Sequence, residues 1–184
     1  MPKQPLRKKL NQYLANYPEE RRTIAQTFEF LDSNNNCFNR SNLYGHFTGS
    51  AWIVDESNSW VLMTHHKKLN KWLQLGGHAN GNQDLLEVAY SEAVEESGFQ
   101  KFKIVTDNIF DLDIHSFPKY KEIPKHFHFD IRFLLEANKH SEKILVSHES
   151  KDVAWIQVNQ LLKKNDDESI RRMLHKGMHR KDIK

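Results

Sequence analysis

Residues 72–99 constrain this chain more than any other stretch. A double glycine, Gly76-Gly77, ends a short apolar approach, and the polar loop His78–Gln83 leads into a helical pattern over 84–97. Asp84 followed by Glu87 has capping-box spacing, and Gly98 stands where a left-handed helix terminator belongs. Leu86, Ala89, Tyr90, Ala93 and Val94 fall on one side of the helical wheel. Glu92, Glu95 and Glu96 fall together on a neighbouring arc of about 100°. Like charges this close are mildly destabilising, and ordinary helices pair them with Lys at i+4. This helix has no Lys or Arg. Its carboxylates therefore read either as a solvated acidic face or as ligands for a hard divalent cation, most simply Mg²⁺. The glycine loop allows close backbone approach to phosphate or to a cation.

Around this segment the periods predict the rest of the fold. Residues 4–16 and 19–31 read as helices, the second opened by Pro18, Glu19 and Glu20. Strands are expected over His46–Val54, Trp60–Thr64, Ile109–His115, His126–Leu135 and Val153–Val158, with short helices over 159–164 and 167–176. A strand-rich middle, one central helix and helices at both ends predict an α/β domain over 45–184. Residues 1–44 form an N-terminal helical extension that caps the site or makes a homodimer face.

The chain has 184 residues and a formal net charge of +3. The basic residues concentrate at the ends. Residues 1–22 carry six against two acidic ones, 160–184 carry eight against four, and the middle carries thirteen against eighteen. A nucleic-acid surface is therefore not expected. Arg171, Arg172, Lys176, Arg180 and Lys181 read as a solvated terminal helix first and an RNA contact second. The single Cys37 excludes an internal disulfide and reads as a small reduced side chain in a loop or core rather than a catalytic thiol. With no apolar run near the roughly 20 residues of a membrane span and no secretory signal, a soluble cytoplasmic protein is expected.

The glycine-to-glutamate segment resembles the Nudix box, whose pattern is Gly, five residues, Glu, seven residues, Arg-Glu, an apolar residue, any residue, Glu-Glu, any residue, Gly, apolar. Gly77, Glu92, Ala93, Glu95, Glu96, Gly98 and Phe99 match in register. Gln83 replaces the first Glu, and Ser91 replaces the Arg. The resemblance covers about residues 45–175. It implies an α/β/α sandwich with a mixed sheet, and hydrolysis of a nucleoside diphosphate linked to another moiety, using Mg²⁺ or Mn²⁺. It implies Glu92, Glu95 and Glu96 as metal ligands, the Gly77 carbonyl as a further one, and Glu92 or Glu95 in catalysis. Many Nudix proteins carry an extra carboxylate before the last strand. Glu149, six residues before Trp155, is the candidate for that role, with Asp152 second. Ser91 cannot form a charged fork and Gln83 cannot ionise, so slow catalysis or a nucleotide-binding sensor module is the alternative. Glu87 could substitute for Gln83, although its capping position favours a structural role.

Two strands alternate strictly. Asp111, Asp113 and His115 share one face, and so do His126, His128, Asp130 and Arg132. An antiparallel hairpin would bring these polar faces together, as a solvent-exposed face or as a cavity wall. As a wall, His115, His126, His128 and Arg132, with His78 from the glycine loop, would bind the substrate's phosphate or carboxylate groups. Alternatively His115, His126 and His128, with an Asp, would hold a transition metal.

Overall fold

The computed structural model describes residues 3–119, 122–148 and 150–178. Helices α1 (Gln4–Asn16) and α2 (Arg21–Ser33) flank a 3-10 turn at Pro18–Glu20, as their apolar spacing predicts. Strands β1 (Gly45–Asp55), β2 (Trp60–His66), β3 (Lys71–Leu73) and β4 (Leu75–His78) precede helix α3 (Leu85–Ser97). Then come β5 (Lys103–Ile104), β6 (Asp111–Phe117), β7 (His126–Ala137), β8 (Ser150–Gln157), α4 (Val158–Lys164) and α5 (Glu168–Met178). The expected elements are all present; β6 starts two residues later than its alternation suggested, and β2 and β7 run two residues further.

The strands pair in the order β3-β2-β1-β7-β5, with β4 on β1, β6 on β7 and β8 on β2. The pairs β1–β2, β2–β3, β2–β8, β5–β7 and β6–β7 are antiparallel. Along β1 and β7 the partners advance together. Tyr44 O accepts from Phe127 N, and further on Thr48 and Ser50 reach Asp130. These two strands therefore run parallel, and the sheet is mixed, in the α/β class.

The chain divides into two compact units. The first comprises Met1–Ser50, Gly77–Ala89 and Asp107–Phe133. Its core is built on Leu6, Leu10 and Tyr13 of α1, Ile24, Phe30 and Leu31 of α2, and Phe47 and Phe129. Phe30 stacks on Phe129 with centroids 3.9 Å apart and planes 3° from parallel. Cys37 is a buried free thiol, and burial raises its pKa, as suits a reduced core side chain. The second unit comprises Ala51–Gly76, Tyr90–Thr106 and Leu134–Lys184. There Trp52, Leu62, Met63, Leu75, Phe99 and Leu161 are buried. Thr64 and Ser150 share a 2.6 Å hydroxyl hydrogen bond across β2 and β8.

Within the first unit, β1 passes very close to the opening turn of α3. A Cβ on Gly49 would stand 2.5 Å from Leu85 O and 3.1 Å from Ala89 N. Both are backbone atoms, so nothing can rotate away. Gly49→Ala is expected to cost about 1–3 kcal/mol through overpacking. A urea melt checks this: the midpoint should fall, and an unchanged midpoint would mean that β1 and α3 can separate freely.

Candidate functional site

Two groups of chemistry-bearing side chains stand out, one in each unit. The first lies on the second half of α3. The helix begins on Asp84, whose Oδ1 accepts from Leu86 N at 3.1 Å and Glu87 N at 3.2 Å. The capping box is only half made. The Glu87 carboxylate accepts instead from Asn82 Nδ2 at 3.0 Å. Gly98 ends the helix at φ 76°, as its position predicts. The buried face comprises Leu85, Val88, Ala89, Ala93, Glu96 and Ser97. It is rotated from the expected face: Leu86, Tyr90 and Val94 are only half-buried.

Glu95 is exposed, Glu92 is half-buried and Glu96 is 7% exposed. Glu96 accepts a hydrogen bond of 3.2 Å from Gly76 N, which ties the double glycine to the helix. Three carboxylates of graded burial on one arc, beside a backbone turn and without a base on the helix, are a donor set that suits a hard oxygen-seeking cation. Gln83 and Ser91 are exposed, and Gly77 and His78 are half-buried at the end of β4. Glu149 lies outside the described residues. Asp152 is exposed at the start of β8, opposite His65, and His148 is exposed with its carbonyl accepting from Lys67 Nζ.

The second group lies in the first unit. Strands β6 and β7 form the antiparallel hairpin, with Asp111 opposite Arg132, Asp113 opposite Asp130 and His115 opposite His128. The polar faces therefore adjoin, and most of their side chains are sealed from water, Asp113 and His115 being only half-buried. Asp111, His126, His128, Asp130 and Arg132 are all buried. Arg132 donates from Nε to Asp130 at 2.7 Å and from Nη1 to Asp111 at 3.1 Å, and its Nη2 lies 3.3 Å from Asp113. Its guanidinium is spent on three carboxylates within the hairpin. Arg132, expected to contact substrate, lies in an internal ion network. Asp130 also accepts from Thr48 at 2.8 Å and Ser50 at 2.7 Å. Burial pushes the Asp130 carboxyl up, but Arg132 and its other donors outweigh burial and hold it below the usual range.

The histidines gather at the other end of the same face. His46 from β1, His78 from β4 and His128 from β7 have ring centroids 4.9–5.0 Å apart. One nitrogen of each lies within 4.8 Å of the other two. His126 places Nε2 3.1 Å from His128 Nε2, and its Nδ1 lies 2.8 Å from the Pro124 carbonyl. His115 instead turns to Asp113, 3.0 Å away. The converging trio among the described residues is therefore His46, His78 and His128, in place of the expected His115, His126 and His128. His46 was missed because its proximity depends on the parallel β1–β7 pairing, which leaves no local signal. Burial first, then the neighbouring imidazoles, lowers the His128 pKa to about 2. Burial, His126 and Arg40 outweigh the Asn42 backbone and lower that of His46 to about 4. Both rings are neutral at ordinary pH.

The model of the NUDIX domain matches residues 46–177. The chain belongs to the Nudix family. No protein of curated function matches it. Solved Nudix-type structures share its fold at low identity. An Ap4A hydrolase of C. elegans, solved as a binary complex, is 16% identical, with a TM-score of 0.59 over 75% of this chain and 98% of its own. A NUDIX-family hydrolase from Clostridium perfringens is 23% identical, with a TM-score of 0.57 over 74% and 98%. A MutT protein from Methanosarcina mazei is 17% identical, with a TM-score of 0.54 over 75% and 96%. The box's two departures are both exposed, Gln83 in the loop before α3 and Ser91 on the helix. No described helix is long and apolar enough to cross a membrane.

Proposed function

We propose that this Nudix protein is a divalent-cation-dependent hydrolase of a nucleoside diphosphate linked to another moiety, with water attacking the diphosphate. The observation that carries the reading is the box helix: Glu92, Glu95 and Glu96 in register, with Glu96 fastened to Gly76. Family membership supports hydrolysis of nucleoside diphosphate derivatives. The three carboxylates, with the Gly77 carbonyl, would hold Mg²⁺ or Mn²⁺. Such a cation supplies charge neutralisation at phosphate oxygens and a more acidic water. Glu92 or Glu95 is the candidate for taking a proton from that water, and Glu149 or Asp152 is the candidate for the carboxylate that Gln83 no longer provides. His78, His115 and His126 remain candidates for contacts to the substrate. The protein would act in the cytoplasm, and residues 1–44 are the candidate cap or homodimer face.

A panel of nucleoside diphosphate derivatives with Mg²⁺ or Mn²⁺ tests this reading. Cleavage should yield two products that each end in phosphate. No cleavage of any member would reject it.

The exposed Gln83 and Ser91 favour a second reading, a nucleotide-binding sensor with feeble turnover. Because neither side chain is packed, Gln83→Glu with Ser91→Arg should fold unchanged. An Arg at 91 can form charged hydrogen bonds that a serine cannot. The double variant is expected to raise turnover at least about tenfold, equivalent to about 1.4 kcal/mol of barrier. Tight nucleotide binding without turnover in either protein would favour the sensor.

A further inference from the structure

His46 is 3% exposed, yet neither of its ring nitrogens finds a hydrogen-bond partner of acceptable geometry. Leaving a buried polar group unsatisfied carries its full desolvation penalty. The ring faces two other imidazoles, His78 and His128, with the three ligand atoms within 4.8 Å of one another. Each comes from a different strand, so the convergence is a product of the sheet and not of sequence neighbourhood. Imidazole nitrogens are ready metal ligands, and the two ring nitrogens of His46 are left without a partner in the protein. A cation placed among the three rings would give buried His46 the partner it lacks.

We propose that His46, His78 and His128 form a binding site for a divalent transition-metal ion, Zn²⁺ foremost, chemically distinct from the carboxylates of the box helix. Imidazole nitrogens suit Zn²⁺, Cu²⁺ and Ni²⁺, whereas Mg²⁺ and Ca²⁺ prefer oxygen. Three imidazoles leave the fourth tetrahedral position for water or a substrate oxygen, the ligand count of an open zinc site. Zn–N bonds of 2.0–2.1 Å place neighbouring nitrogens roughly 3.3 Å apart, so small rotations of the rings close the site. His78 is half-buried while the other two are buried. The surroundings supply an outer shell of the kind that orients such ligands. His126 is held by the Pro124 carbonyl with Nε2 against His128, and Phe117 stacks on the His128 ring at 5.2 Å.

The test uses the full chain without a histidine tag, stripped of metal and titrated with Co²⁺ and then Zn²⁺. The expected result is one Co²⁺ per chain with the intense visible absorption of a four-coordinate site, displaced by one equivalent of Zn²⁺ at micromolar or tighter affinity. His78→Ala, at the half-buried ligand, should lose that signal while keeping the wild-type circular dichroism. His140→Ala, at an exposed histidine outside the cluster, should keep the signal. Three outcomes would overturn the proposal: no uptake by wild-type protein, uptake only with the weak absorption of six-coordinate surface binding, or a signal that survives in both His78→Ala and His46→Ala.

Discussion

Arg132→Leu is expected to destabilise the protein by about 3–5 kcal/mol, the cost of breaking a buried ion pair from one side. The side chain is 3% exposed, and its removal strands Asp130 and Asp111, 2% and 0% exposed, without their cation. Against a total stability of about 5–15 kcal/mol this is a large share. The urea midpoint should drop sharply with little change in slope. The pH dependence separates charge from packing. In the wild type the Asp130 pKa lies below that of an unfolded carboxylate, about 3.9. Its contribution is therefore present above that pH and lost as pH falls further. Without Arg132, burial dominates and the carboxyl rises above the unfolded value. The variant should then gain stability on acidification from pH 7 toward 4, the reverse of the wild-type trend. Asp130→Asn added to Arg132→Leu should recover part of the loss, since the amide oxygen can still accept from Thr48 and Ser50. A loss below about 1 kcal/mol would mean that the network contributes no more than a surface pair.

Glu96→Gln should leave the fold standing and remove most of the turnover. The amide oxygen can still accept from Gly76 N, so the double glycine keeps its tie to α3. What is lost is the anion. Charge stabilisation through a bound cation is worth several kcal/mol, and each 1.36 kcal/mol is tenfold, so turnover should fall by about 10²–10⁴. Thermal melting beside the kinetics distinguishes the two effects: activity lost at an unchanged melting temperature places the role in the site, whereas full activity in the variant removes Glu96 from it.

Much of this was legible in the sequence because several signals are local. The helical spacing of Ile24, Phe28 and Leu31 marks α2, whose Ile24 and Leu31 are buried, and α1 buries Leu6, Leu10 and Tyr13. The alternation of β6 and β7 specifies a two-faced hairpin, and the observed register joins the polar faces as expected. Gly98 and Asp84 punctuate α3 because the αL terminator and the N-cap are one-residue chemistry. What was not legible depends on tertiary partners. Alternation alone cannot say whether a polar face meets water or protein, and here Asp111, Asp130 and Arg132 are sealed by mutual pairing. Strand β1 is buried along its whole length, so His46 carries no period to mark it as a site residue. Glu87 has the spacing of a reciprocal cap, but Asn82 competes for its carboxylate.

In the proposed function, hydrolysis depends on a cation held by the box-helix carboxylates. This dependence is tested most directly by turnover as a function of Mg²⁺ concentration, in wild type and in Glu95→Gln. Glu95 is exposed, so the substitution leaves packing intact. The expected results are no turnover in chelator, saturation by Mg²⁺ in the wild type, and for Glu95→Gln a Mg²⁺ requirement shifted well upward or turnover abolished. Superimposable Mg²⁺ curves for the two proteins, or full turnover in chelator, would contradict that dependence.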